Sequence, residues 1–248
     1  SIINPVLINK YVYIQRIIIM RKILTVISVL SLISFNANAL ERGDISATIG
    51  VAANSAVYGA SAKETNRDDS SNIRRTASES GVFTESHTSG FIELNVGEFV
   101  SLGYEHTPDS ITTPQADRTT NTNAKTTVSV DFNDLNIAYL KLNTPFGVYL
   151  KAGLVETDLD IKESMASGST YSNVSTEGTI MGIGYNKALG ERLAVRVEGS
   201  YMELDDVSTS NGVAADGSTV ANSGRNQIDA SNLEGLNGKI AITLTLGN

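Results

Sequence analysis

The chain has 248 residues, with 27 acidic and 19 basic side chains, a formal net charge of −8, two histidines and no cysteine. These numbers exclude a disulfide-stabilised fold, a cysteine-ligated metal centre and a thiol nucleophile. The negative charge also disfavours nucleic acid as a partner, because non-specific binding to nucleic acid requires lysine and arginine. A mean hydropathy of −0.05 is too low for a helical multispan protein but suits a membrane β-barrel, whose strands are only half apolar.

Residues 20–39 have the features of an export signal, and residues 1–19 do not fit them. Met20–Lys22 is a short basic start, residues 23–33 are mostly apolar, and Ala37–Ala39 has the small-x-small pattern of a cleavage site. The apolar run is too short to span a membrane as a helix. We therefore predict a cleaved signal peptide at 20–39, and we interpret residues 1–19 as translated upstream sequence before the true start at Met20.

Eight segments of the remaining chain alternate apolar and polar residues, which is typical of strands with one apolar face. No segment shows a sustained helical period, so the sequence predicts an all-β fold. The fourth segment is the least regular, because Ile137 and Tyr139 interrupt its polar face, and a one-residue slip would exchange its two faces. In chain order the segments lie near residues 44–51, 90–96, 100–105, 128–142, 148–154, 180–185, 192–201 and 236–246.

Short and long connections alternate strictly between these segments. The short ones lie around Gly97, at 143–147 and at 188–191, whereas the long ones are rich in Ser, Thr, Asn, Asp and Gly. In a closed meander this alternation places every short turn at one end and every long loop at the other. The pattern predicts that residues 40–248 form an eight-stranded antiparallel up-and-down transmembrane β-barrel with short periplasmic turns and four long external loops. The long connections are expected at 59–88, 107–126, 157–175 and 205–233.

The face opposite the apolar one carries a balanced set of charges. In an eight-stranded barrel this face lines a lumen just wide enough for side chains to fill, where unpaired charges would be costly. The alternative is a soluble secreted β-protein, in which the same charges face water on an ordinary sheet. Glycines on this face limit its bulk: Gly50, Gly103, Gly153, Gly182 and Gly184. The predicted lumen charge network consists of Asp44, Glu93, Glu105, Lys141, Lys151, Arg196, Glu198 and Lys239.

The export signal, the eight alternating strands and the four long polar loops resemble the small outer-membrane barrels of the OmpA transmembrane domain, OmpX and opacity-protein type. The resemblance covers the chain from about residue 43 to residue 248. It implies a monomeric barrel in the outer membrane of a Gram-negative bacterium. Outer-membrane lipid and the secretion and barrel-assembly machineries would then be its partners, and the loops could bind an extracellular ligand.

His87 and Ser89 are the strongest enzyme-like feature of the sequence. A spacing of two on a strand places both on one face, as a serine nucleophile and its base require, and Glu85 could be the third member. The pair resembles the His-x-Ser pair of eight-stranded lipid A deacylases. However, it projects with Glu93 towards the predicted lumen, whereas a lipid deacylase needs it to face lipid, so a polar end of a strand is the favoured interpretation.

The acidic patches at 68–69, 158–160 and 205–206 lack the ligand spacing of a calcium loop, and no cofactor motif is found, so we expect neither metal nor cofactor. The sequence therefore predicts a non-enzymatic outer-membrane scaffold whose polar loops serve adhesion, surface interaction or envelope integrity. The alternatives are a narrow pore for small solutes and, less favoured, a lipid-modifying hydrolase that uses His87 and Ser89.

Overall fold

The computed structural model describes residues 45–67, 72–119, 125–164, 169–211, 213–214 and 226–247. Asp44 and the predicted segments 1–19 and 20–39 lie outside these ranges. The described residues contain no helix long and apolar enough to cross a membrane. Eight of the strands in the described ranges are long: β1 (Ile45–Arg67), β2 (Ile73–Val96), β3 (Val100–Thr107), β6 (Lys125–Asn143), β7 (Val148–Ser164), β9 (Val174–Ala188), β10 (Leu193–Leu204) and β13 (Asn226–Leu246).

These eight strands form a closed antiparallel ring. Each pairs with the next long strand along the chain, and β13 pairs back onto β1. The predicted all-β, up-and-down, eight-stranded barrel is thereby confirmed. Short strands extend the ring or lie beside it: β4 (Ile111–Thr112) and β5 (Ala116–Thr119) pair with β6, β11 (Val207–Ser210) pairs with β13, and β8 (Ser169–Thr170) pairs with β12 (Val213–Ala214).

The two faces of the ring have the polarity that the alternation predicts. Apolar side chains point outward and are exposed, for example Val51 at 67%, Leu150 at 56% and Ile240 at 62%. The residues between them point into the lumen and are buried. The apolar side chains therefore form a belt on the outer surface of the ring. A soluble barrel has the reverse arrangement, with its apolar face inside. Tyr104, Tyr185 and Tyr201 also lie on the outer surface.

The predicted bounds of the long connections need correction, because much of each connection is strand. The range 59–88 is almost filled by the ends of β1 and β2, and the range 205–233 contains β11 and the first third of β13. These extensions are rich in Ser, Thr and Asn, so they lack the alternation of apolar and polar residues that identifies a strand in the sequence. Backbone pairing with a neighbouring strand holds them in the sheet.

A β-bulge explains the irregular fourth segment. The pairing of β6 with β7 shifts between Asn133 and Asn136, and Asp134 between them has a positive φ of 49°. An extra residue at this point exchanges the two faces of the strand. Beyond the bulge Ile137 and Tyr139 point into the lumen, which is why both faces of this segment look apolar in the sequence.

Candidate functional site: the lumen

Four aromatic rings lie across glycines on the neighbouring strand. Phe91 is directly opposite Gly50, Tyr139 opposite Gly103, Tyr149 opposite Gly184 and Tyr58 opposite Gly235. A Cβ added at any of these glycines would overlap the opposing ring. Glycine at these positions therefore lets a large side chain lie flat against the barrel wall, which fills the lumen without widening it.

Glu93 on β2 is the centre of a first group of charges. Arg196 donates to both carboxylate oxygens of Glu93 at 2.7 and 2.9 Å, and Lys141 donates at 2.5 Å. The hydroxyl of Tyr139 donates a further hydrogen bond of 2.8 Å. Glu93 is only 1% exposed. A bidentate arginine and two further donors are what a carboxylate needs to remain charged in such a dry position.

A second group contains two acids and two bases. Lys239 lies 2.6 Å from Glu105 and 3.4 Å from Glu198, while Lys151 lies 2.5 Å from Glu198 and 3.5 Å from Glu105. Tyr149 donates to Glu198 at 2.8 Å. This group is neutral, whereas the group around Glu93 carries one positive charge. We refer to both groups together as the ion-pair network: Glu93, Glu105, Lys141, Lys151, Arg196, Glu198 and Lys239.

The aromatic rings that lie on the glycines also contact the cations. The guanidinium of Arg196 stacks 5.1 Å from the centre of the Phe91 ring and 5.2 Å from that of Tyr149. Lys151 lies 4.9 Å from the centre of the Tyr139 ring. Such contacts are strongest when the cation is desolvated. The glycine–aromatic pairs therefore fill space and stabilise the cations of the ion-pair network.

Seven of the eight residues in the predicted lumen charge network thus meet in the described structure, and Asp44 lies outside the described residues.

Towards the short turns the lumen continues as a layer of hydrogen-bonded polar side chains. Asn95 donates to Ser46 and Thr48, and accepts from Ser101. This layer and the ion-pair network above it fill the lumen with hydrogen-bonded side chains at these two levels.

His87 and Ser89 lie inside the lumen on β2, well within the strand rather than at its end. The Ser89 hydroxyl donates to Glu105 at 2.7 Å and accepts from Asn54 at 2.9 Å. Its proton is therefore directed at a carboxylate of the ion-pair network and not at His87. Nδ1 of His87 is buried and has no hydrogen-bond partner among the described residues. This geometry does not form the nucleophile and base of a hydrolase.

The half of the lumen towards the long connections contains an apolar cluster, which the charges and glycines of the predicted lumen face do not indicate. Nine buried side chains form one cluster there. A signal is present in the sequence, since β6, β9 and β13 carry apolar residues on both faces near this end, as at Ile180 and Met181. We call this group the apolar cluster: Ile111, Leu135, Ile137, Tyr139, Val155, Ile180, Met202, Leu204 and Leu233.

In the described part of the chain, no three His, Asp or Glu side chains lie close enough together to hold a metal ion. The acidic residues of the ion-pair network are each engaged by lysine or arginine. The lumen can therefore bind through hydrogen bonds and apolar contact, and chemistry that needs a metal has no candidate ligand set in these ranges.

No model of a known protein family matches the chain, and no curated protein matches it. Among solved structures, the outer membrane protein OprG from Pseudomonas aeruginosa matches with a TM-score of 0.56 at 12% identity, over 83% of this chain and 99% of OprG. This similarity shows that the fold is that of a small outer-membrane β-barrel.

Two further structures are more distant. The outer membrane protease OmpT from Escherichia coli matches with a TM-score of 0.40 at 10% identity, over 80% of this chain and 97% of OmpT. Ail, the attachment invasion locus protein of Yersinia pestis, matches with a TM-score of 0.37 at 10% identity, over 79% of this chain and 99% of Ail. Both similarities are too weak to bear on function.

Proposed function

We propose that the protein is a closed, non-enzymatic barrel of a Gram-negative outer membrane that presents polar hairpins beyond the membrane. The ion-pair network carries this proposal, because it crosses the lumen from β2 and β3 to β10 and β13 and leaves no open bore at that level. The apolar outer belt suits outer-membrane lipid as the surrounding partner. Export through a cleaved signal peptide and insertion by the barrel-assembly machinery are parts of the same proposal, as is a monomeric state.

The extended strands support a surface role for the hairpins. β1 and β2 pair as far as Arg67 and Ile73, well past the apolar belt, and the extension is polar. Binding residues concentrate on segments held by a rigid scaffold. Adhesion, another surface interaction or envelope integrity would all use these hairpins. Protease treatment of intact cells should cleave the mature protein in its hairpins and leave a membrane-embedded core of the eight strands.

The decisive experiment is current recording in planar lipid bilayers. We expect no steady conductance from the wild-type barrel, because the ion-pair network blocks the passage of ions. A Glu105→Ser/Lys239→Ser variant keeps the net charge but removes a 2.6 Å ion pair, so it should give a measurable current. Steady conductance of the wild-type protein would contradict the closed scaffold and favour a narrow pore for small solutes.

Folding state and location need their own controls. The folded protein should migrate differently on SDS gels before and after boiling, as a closed, detergent-resistant barrel does. Cell fractionation should recover it with the outer membrane. A protein that is soluble without detergent and shows no mobility shift would mean that the outer belt does not face lipid.

A further inference from the structure

Two adjacent cavities lie in the lumen on the side of the long connections, and the inner one borders Glu105 and Lys239 of the ion-pair network. The outer cavity gives the centres of water-sized molecules about 40 Å³ of space and is walled by apolar side chains, among them Phe83, Phe132 and Leu233. The inner cavity is smaller, about 20 Å³. Tyr58, Leu135 and Met202 line both cavities, so the two are adjacent.

The inner cavity has a polar floor with unmet hydrogen-bonding capacity. His87 lines it, is 9% exposed, and has no hydrogen-bond partner for Nδ1 among the described residues. Asn237 also lines it, and its Oδ1 is buried and without a donor in the same residues. Buried polar atoms are rarely left unsatisfied, so these two atoms indicate that a water or another hydrogen-bonding group lies beside them.

The neighbouring polar residues cannot fill this role. Asn54 pairs directly with His87 in the sheet, but its amide already donates to Ser89 and its oxygen accepts from Asn237 at 3.0 Å. Glu105 and Lys239 below are engaged with each other at 2.6 Å. The two free atoms therefore point to a group other than the side chains of the described residues.

We propose that this cavity binds a small uncharged amphipathic molecule, with an apolar chain in the outer cavity and a hydroxyl head between His87 and Asn237. A hydroxyl fits both atoms, because its proton satisfies the Asn237 oxygen and its lone pairs can accept from an Nδ1–H of His87. A charged head is disfavoured, because the ion-pair group beneath the cavity is already neutral and an added charge would be unpaired in a dry site. Water alone in the inner cavity is the competing occupant.

The two histidines of the chain provide a direct measurement. Protein labelled with ¹⁵N-histidine and placed in lipid nanodiscs should give ring signals from only His87 and His106. The His106 ring contacts Asn136 at 2.8 Å and does not line either cavity, so it serves as the internal control. The probe is 1-hexanol, and n-hexane is the matched compound without a hydroxyl.

We expect 1-hexanol to shift the His87 signal saturably while His106 stays constant, and n-hexane to leave both unchanged. An unsaturable change, a change shared by His106, or no change would overturn the proposal and leave water as the occupant. A saturable response to n-hexane would also overturn it, because the polar head would then be irrelevant.

A pair of variants locates the site. Ala60 lines the outer cavity, so Ala60→Leu should fill it and weaken the response to 1-hexanol at least tenfold. Ala62 on the same strand is exposed, so Ala62→Leu is the matched control and should bind as the wild type does. Equal binding by both variants would overturn the assignment to this cavity. Gel mobility before and after boiling verifies that both variants fold, and the comparison of hexanol with hexane on the wild type stands without them.

Discussion

The lumen is filled in two different ways along its length. Towards the short turns it contains the ion-pair network, and towards the long connections it contains the apolar cluster. Tyr139 belongs to both regions, because its hydroxyl donates to Glu93 while its ring packs in the apolar cluster. The ion-pair network is satisfied only when every member is present, whereas the apolar cluster loses stability in proportion to the volume removed. The two regions should therefore respond differently to substitution.

The largest effect is expected from breaking the ion-pair network at its centre. Glu93→Gln leaves Lys141 and Arg196 buried without their shared counter-charge, and the loss of one partner from a buried ion pair costs about 3–5 kcal/mol. The free energy of unfolding in lipid vesicles, followed by far-UV circular dichroism in urea, measures the loss. Glu203→Gln, on the exposed face of β10, is the control and should change stability by less than about 0.5 kcal/mol. Equal effects of the two substitutions would contradict an all-or-none network.

A smaller and graded loss is expected in the apolar cluster. Leu233 is 5% exposed, so Leu233→Ala removes buried volume and should reduce stability by about 2–4 kcal/mol. The same urea titration measures it, with Leu189→Ala in the exposed turn before β10 as control. A larger loss than that of Glu93→Gln would reverse the proposed ranking of the two regions.

The glycine–aromatic pairs can be tested with two glycines of the same sheet. Gly184→Ala places a methyl group against the Tyr149 ring and 2.6 Å from the carbonyl oxygen of Val197, and Tyr149 is fully buried, so its ring cannot move aside. We expect a loss of about 1–3 kcal/mol from this overpacking. Gly199 has nothing within 4 Å of an added Cβ, so Gly199→Ala should be neutral or slightly stabilising. If Gly184→Ala were equally harmless, Tyr149 would not be fixed in the position described.

The smallest effect concerns a contact outside the lumen, beyond the end of β3. The hydroxyl and backbone N–H of Thr88 both donate to Asp109, and these hydrogen bonds hold the pKa of its carboxyl below the ordinary value of 3.8. An acid with a lowered pKa in the folded state stabilises it fully above pH 3.8, and the contribution disappears as the pH falls through the folded pKa. Carboxyl ¹³C NMR should show Asp109 titrating below 3.8. Thr88→Val should move the midpoint upward, and an unchanged midpoint would show that the hydroxyl makes no contribution.

The ring itself is predictable from the sequence, because one apolar face per strand and alternating connection lengths leave few other arrangements. The residues of the ion-pair network could be assigned to the lumen for the same reason, since their parity on each strand is opposite to that of the exposed apolar side chains. Their partners could not be assigned. Arg196 reaches across the lumen to Glu93 on a strand that is not its neighbour, and periodicity contains no information about such distances.

Other features were hidden for physical reasons. The extensions of β1 and β13 are rich in Ser, Thr, Asn and Asp, so no alternation of apolar and polar residues marks them as strands. The bulge at Asp134 exchanges the faces of β6, so one alternation cannot be followed through the whole strand. The apolar cluster was missed because a uniform polar lumen was assumed, although apolar residues on both faces of one strand end are its direct signature.

The closure between β1 and β13 has a kinetic consequence. It joins residues at opposite ends of the described chain, as in the contact between the hydroxyls of Thr48 and Thr245, which are 197 positions apart in the sequence. Lys239 on the last strand lies opposite Glu198 on β10 but reaches Glu105 on β3 across the lumen, so the carboxylate of Glu105 acquires its full set of counter-charges only when the ring closes. Pairing between residues so far apart in the sequence slows folding, because the chain loses loop-closure entropy before the contacts that stabilise the pair have formed. Amide exchange should accordingly show the amides between β1 and β13 opening before those of the other strand pairs.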